Sequence, residues 1–153
     1  MDNETSEFLK KIARFCAFRE RCTKEVYEKL TQLGASHQQA DQILKFLEEE
    51  NYLKDSRFAA TFAKSKFRQN HWGRHRIINE LRIREISKSD IDKALNEIDN
   101  KEYLVGLKKL AIKKWKEVKI DDHFIKQQKT AVFLTGKGFE SDLVWQVVKK
   151  INK

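Results

Sequence analysis

Arg57, Thr61, Lys64 and Arg68 stand at i, i+4, i+7 and i+11, so on a helix they share one stripe, and three of the four are cations. The next segment, Gln69-Asn-His-Trp-Gly-Arg-His-Arg-Ile-Ile78, extends that charge. From Lys64 to Arg84 there are seven lysines and arginines, Lys66 and Arg82 among them, against one acid, Glu80, with His71 and His75 besides. Side chains of these types can hold anions. Trp72 among arginines has the composition of a binding surface, an aromatic anchor flanked by charge. The plainer role for the same ring is to cover the junction of two helices. Arg76, Glu80 and Arg84 recur at i, i+4 and i+8, which assigns part of the charge to intrahelical pairs worth roughly 0.2–0.5 kcal/mol each.

No constellation for bond-breaking chemistry stands beside this. His71 and His75 are four apart, but Gly73 interrupts them and no cysteine or third histidine follows at ligand spacing, so no metal site is expected. Cys16 and Cys22 lack a histidine pair and read as reduced thiols. Carboxylates lie at helix ends and in i, i+4 pairs, none isolated in an apolar run that would tune its pKa. Gly136-Lys137-Gly138 lacks the rest of a phosphate-binding loop and stands where a helix should end. The expectation is a binding protein without a catalytic centre or cofactor.

Composition agrees. Lysine and arginine number 32 against 23 acids, a net charge of +9, and a balance this basic points to a polyanionic partner. No apolar run approaches the length of a membrane span, and the polar, acidic start is unlike a signal peptide; cytoplasmic residence is the expectation. Proline is absent and glycine appears five times, which suits long helices and disfavours a turn-rich β fold.

The elements that must carry these residues repeat three times. Leu30, Leu81 and Leu134 each open a short helix-breaking stretch. After each, apolar residues fall at matching offsets: Ala40, Ile91 and Val144; Ile43, Ala94 and Val147; Leu44, Leu95 and Val148; Leu47, Ile98 and Ile151. The copies are spaced 51 and then 53 residues apart, just above the usual range for solenoid units. The spacing predicts an all-α chain of three tandem three-helix repeats, 1–53, 54–101 and 102–153, stacked into an elongated, curved array; stacked repeats with polar termini could exist as a monomer. Within it, Thr23, Ser36 and Asp55 are expected to cap helices, Gly34 to end one, and Phe58 and Phe62 to point inward. Glu48-Glu49-Glu50 should pair with a basic neighbour, and Gly73 should serve as a loop-to-helix transition.

In order along the chain, several motifs resemble one family. Arg21-Cys-Thr-Lys-Glu-Val-Tyr-Glu-Lys-Leu30 is similar to Arg-Ser-x-x-Glu-Leu-x-x-Lys-Leu of the RecX family, and Tyr52-Leu-Lys-Asp-Ser-Arg-Phe-Ala59 to its Tyr-Leu-x-Asp-x-Arg-Phe-Ala. Gly73-Arg-His-Arg-Ile-Ile-Asn-Glu-Leu81 resembles its Gly-x-x-x-Ile-x-x-Glu-Leu, and Phe133-Leu-Thr-Gly-Lys-Gly-Phe139 its Phe-Leu-x-x-Arg-Gly-Phe. The resemblance implies a regulator that binds the RecA recombinase and its single-stranded-DNA filament and lowers strand exchange and ATPase activity. It would do so through a basic surface centred on Arg57, Lys64, Lys66, Arg68, His71, Trp72, Arg74, His75, Arg76 and Arg82. Reversing Lys64, Arg68 and Arg74 to glutamate should then abolish inhibition with helicity unchanged. Two departures stand out. Glu85 replaces the family's glycine, so that helix is expected to end differently, and Ser141 is expected to cap the last helix. The alternative is a stand-alone helical DNA-binding protein, since a basic three-helix unit can imitate a helix-turn-helix.

Overall fold

A computed structural model describes residues 1–151, which form nine helices and no strand among those residues: α1 (Asn3–Phe18), α2 (Thr23–Gln32), α3 (His37–Glu49), α4 (Asp55–Asn70), α5 (Arg74–Ile83), α6 (Lys88–Asn96), α7 (Asn100–Glu117), α8 (His123–Gly136) and α9 (Ser141–Lys149). None of these helices is long and apolar enough to cross a membrane.

The three repeat leucines share one job. The carbonyls of Leu30, Leu81 and Leu134 each accept a hydrogen bond from the amide five residues on: Ala35 at 3.0 Å, Ile86 at 3.1 Å and Phe139 at 3.2 Å. Such a closure requires a left-handed residue between, and Gly34 (φ +100°), Glu85 (φ +57°) and Gly138 (φ +102°) supply it. The leucine side chains are fully buried beneath the turns. Glu85 therefore corrects the expectation of a different ending: the middle helix stops like the others, in a conformation that costs an L-residue about 1 kcal/mol. The ion pair from Lys24 to Glu85, 3.6 Å long with Glu85 exposed, offsets little of this. Glu85→Gly is accordingly expected to stabilise the chain by about 1 kcal/mol, read as a rise of a few degrees in thermal midpoint.

Helix starts follow local chemistry in most places. Asp2, Ser36, Ser87, Asp99 and Asp122 each accept from the amide three residues on. Three sites differ from the sequence expectation. Thr23 is the first helical residue of α2, with Cys22 at the cap position. Asp55 does not cap α4; its Oδ1 accepts from the Thr23 amide at 2.8 Å and the Thr23 hydroxyl at 3.0 Å, serving the free amides of α2 from the next repeat. Ser141 is the first residue of α9, and Glu140 before it turns its carboxylate elsewhere. Glu48, Glu49 and Glu50 are exposed, and none of them forms an ion pair among the described residues.

The core is divided unevenly. Ile12, Val26, Leu30, Ala40, Ile43, Leu47 and Leu53 close a small core inside α1–α3. A second, larger core runs continuously through α4–α9, from Phe58, Ile77 and Leu81 to Tyr103, Leu107, Leu134, Phe139 and Val144, and Cys22 enters it from the first repeat. The second and third repeats thus fuse, while the first joins them chiefly through polar contacts. Besides Asp55, these are Arg57 Nε to Glu20 at 2.6 Å and Lys24 Nζ to the Ile83 carbonyl at 3.0 Å. Cys16 and Cys22 are free thiols, and burial pushes the Cys22 thiol up to about 11.

The joint between the second and third repeats is backbone on backbone. The Gly73 amide donates to the Lys137 carbonyl at 2.8 Å and the His75 amide to the Gly138 carbonyl at 3.0 Å. Gly73 is more than a loop-to-helix transition, and Gly138 more than a helix end: the two loops interlock.

Candidate functional site

The basic stripe of α4 becomes a set of clasps. Lys64 Nζ lies 3.5 Å from Glu97, the residue that ends α6. Arg68 holds Glu102 of α7 with two bonds, Nε at 2.9 Å and Nη2 at 3.0 Å. That fork lowers the Glu102 carboxyl from its ordinary value. Arg57 holds Glu20 and, at 3.1 Å, the Asn51 carbonyl. In α5, Arg74 lies with its guanidinium 3.7 Å from the Tyr103 ring centroid and reaches Glu140 at 2.8 Å and Asn100 at 3.1 Å. Four of the ten candidate residues therefore have partners within the chain, and reversing Lys64, Arg68 and Arg74 would set glutamate against Glu97, Glu102 and Glu140. For that triple variant these pairs add a cost in stability to the loss of surface charge.

Tyr103 anchors the last clasp. It is fully buried, accepts from the Arg74 amide at 3.0 Å and donates its hydroxyl to Glu140. Burial, then the bond to Glu140, pushes the Tyr103 hydroxyl well above its usual range. Burial raises the Glu140 carboxyl, but the bonds from Tyr103 and Arg74 outweigh it and the net shift is downward from 4.5. A carboxylate with a depressed folded value contributes stability that is complete above its unfolded value and lost as pH falls through the folded one. Tyr103→Phe is expected to cost about 1–2 kcal/mol at neutral pH. The difference in thermal midpoint from the parent should narrow below pH 4.5; a constant difference would remove Glu140 as the titrating partner.

Of the remaining candidates, Lys66, Trp72 and Arg76 join Phe62 and Arg84 in a row of alternating cations and rings, whereas Arg82 is exposed on α5 without a cation–ring contact among the described residues. Arg84 Cζ sits 4.7 Å from the Phe62 centroid, and Lys66 Nζ lies 5.5 Å from Phe62 and 5.1 Å from Trp72. Arg76 Cζ lies 4.3 Å from the Trp72 centroid. Phe62 and Trp72 meet edge to face, centroids 6.1 Å apart, and both are half-buried. Trp72 thus fills both roles open to it, packing on the core while keeping a face for its cations. Arg76 stacks on this ring, and the helical pair with Glu80 is made by Arg84 instead, at 3.1 Å. Lys66, Arg76 and Arg82 have no ion pair among the described residues. His71, in a left-handed conformation just past α4, and His75 are exposed beside the row.

Two members escaped the sequence reading. Phe62 was expected inward, and Arg84 only as a helical pair. The Phe62–Lys66 spacing of i, i+4, which places a cation over the ring, was the available signal. The row borders a cleft of ≈ 410 Å³ lined by Glu20, Glu25, Thr61, Phe62, Lys66 and Arg84, so it faces open space where the first repeat meets the second. Each exposed cation–ring contact contributes about 0.5–1 kcal/mol and holds the charge in place. Such an arrangement can take phosphate or carboxylate groups and stack a planar group against Trp72.

Comparison with known proteins meets this geometry. Residues 55–95 match the model for the second three-helix domain of RecX, and residues 102–148 the model for the third. The regulatory protein RecX of Chlorobium phaeobacteroides (strain BS1) is 30% identical over 138 residues, covering 90% of this chain and 89% of the relative. That of Prosthecochloris aestuarii is 26% identical over 150 residues, covering 98% and 97%. That of Clostridium tetani, 29% identical, is longer, and the chain spans 57% of it. The same fold occurs in the crystal structure of RecX from Lactobacillus salivarius, with TM-score 0.88, 21% identity and coverage of 98% of this chain and 97% of that one. With two RecX domains in series across the core that carries the basic row, and relatives aligned along nearly its whole length, the chain belongs to the RecX family of regulatory proteins.

Proposed function

We propose that the protein binds the RecA recombinase on its single-stranded-DNA filament and inhibits strand exchange and ATPase activity in the cytoplasm. In this reading it acts as a monomer without a catalytic centre, and serves homologous recombination, DNA repair and the SOS response. The observation that carries the reading is the row of Lys66 and Arg76 with Phe62 and Trp72: two ring-braced cations without an ion pair among the described residues, with Arg82 exposed on the same helix as Arg76, on a chain of charge +9. His71 and His75 flank the contact, while Arg57, Lys64, Arg68 and Arg74 hold its helices in register and add to its field. The repeats, divided at 53/54 and 101/102, follow the filament's groove, where acidic protein and phosphate occur together. A filament offers many sites in series, so a surface that lies along it acts below one molecule per RecA.

The test is RecA's single-stranded-DNA-dependent ATPase with substoichiometric protein, beside a gel shift without RecA. Inhibition well below one molecule per RecA supports the reading. No inhibition, with tight binding to bare DNA that falls steeply with salt, overturns it in favour of a stand-alone DNA-binding protein. The stacking face of Trp72 is the observation that favours this second reading.

A further inference from the structure

A second open surface lies on elements outside the basic row. Along α7, Leu104, Lys108, Ile112 and Trp115 recur at i, i+4, i+8 and i+11 and form one wall of a groove of ≈ 510 Å³. Val147 and Ile151, at and beyond the end of α9, form the other. The lining is mostly apolar, and Leu104 and Ile112 are 37% and 36% exposed, high values for large aliphatic side chains on a helix that buries Tyr103, Leu107, Ala111 and Trp115. Gln146 and three lysines, Lys108, Lys116 and Lys150, complete the lining. None of these lysines has an ion pair among the described residues, although Lys114 on α7 pairs with Glu117. Trp115 is almost wholly buried, and its indole N–H has no acceptor among the described residues, an omission that ordinarily costs about 1–3 kcal/mol.

We infer that this groove is a docking site for an acidic amphipathic helix of a partner protein. Its apolar ridge would fill the space between Leu104, Ile112 and Val147, and its flanking carboxylates would meet Lys108, Lys116 and Lys150. Three features choose this occupant. The wall from Leu104 to Lys116 is about 18 Å long, three turns of helix, and matches an i, i+4, i+7 ridge. The cations demand an acidic partner, whereas a second copy of a chain with charge +9 would be repelled. A concave groove accepts a ridge and not a flat bilayer. The inference does not rest on the RecA reading, because α7 and α9 carry none of the row's residues.

The probe is a fluorescein-labelled peptide of about three helical turns, with leucines on one face and glutamates flanking them. A control peptide of the same composition has its leucines spread over all faces. Fluorescence anisotropy with the full chain is expected to show the first bound at least about tenfold more tightly than the control. The variant Lys108→Glu/Lys116→Glu/Lys150→Glu and the variant Leu104→Ser/Ile112→Ser should each lose that preference with unchanged circular dichroism. The variant Lys66→Glu/Arg76→Glu/Arg82→Glu should keep it, which separates failure here from failure of the RecA reading. Equal binding of the two peptides, or undiminished binding by both groove variants, overturns the inference. So does a concentration-dependent dimer in sedimentation that Leu104→Ser/Ile112→Ser abolishes, since a second copy would then fill the groove.

Discussion

If the protein inhibits RecA as proposed, replacing Lys66, Arg76 and Arg82 together by glutamate is expected to raise the concentration needed to inhibit RecA's ATPase by about 30–100-fold, with the thermal midpoint within a few degrees of the parent. The magnitude follows from three surface contacts to anionic groups at about 0.7–1 kcal/mol each. Reversal adds repulsion to the loss. Folding is largely spared because none of the three has an ion-pair partner among the described residues to strand, and the contacts of Arg76 with Trp72 and of Lys66 with Phe62 and Trp72 are surface ones worth about 0.5–1 kcal/mol each. Lys64→Glu/Arg68→Glu/Arg74→Glu makes the complementary case. Each new glutamate would face an acid already in place, Glu97, Glu102 or Glu140, and the pair at Glu140 is partly buried. That variant should lose several degrees of thermal midpoint, so any loss of inhibition would reflect unfolding as well as contact. Unimpaired inhibition by Lys66→Glu/Arg76→Glu/Arg82→Glu would exclude the row and move the interface to another face.

The second large effect is Gly73→Ala, expected to destabilise the protein by about 3 kcal/mol or more. A Cβ on Gly73 would collide with the Gly138 carbonyl group and the Phe139 amide nitrogen, backbone atoms that cannot turn aside. The φ of Gly73 is −83°, so the position demands glycine for close approach and not for a left-handed turn. Gly138 has both reasons: φ is +102°, and a Cβ there would lie 2.7 Å from the Arg76 amide nitrogen. Ala at 73 would force apart the two loops joined by the Gly73–Lys137 and His75–Gly138 hydrogen bonds, and with them the clasp of Arg74, Tyr103 and Glu140. Because α4–α9 share one core, the loss should appear as one lowered cooperative transition. Gly136→Ala is the control: it has open space around it and should be tolerated.

Elements built from local rules were legible in the sequence. The apolar spacings after Leu30, Leu81 and Leu134 placed three helical repeats, and Gly34 and Ser36 marked a stop and a start, because caps, turns and helical faces depend on residues within about five positions. Even the misjudged Glu85 follows such a rule: the turn closing on Leu81 imposes the left-handed conformation whatever the side chain. Asp55 shows where locality ends, since it was read as the cap of its own helix and instead serves Thr23 of the preceding repeat.

By itself, then, the sequence determined the all-helical repeat, its family and the concentration of positive charge between Arg57 and Arg84. Only the tertiary structure decided which of those charges are paired within the chain. Arg68 pairs with Glu102 and Arg74 with Glu140, at sequence separations of 34 and 66, beyond any spacing rule. The same long-range packing fused the second and third repeats through Gly73 and left Lys66 and Arg76, beside Phe62 and Trp72, without an ion pair among the described residues. A charge is available to a partner only when folding brings no opposite charge to it, and that depends on which helices meet.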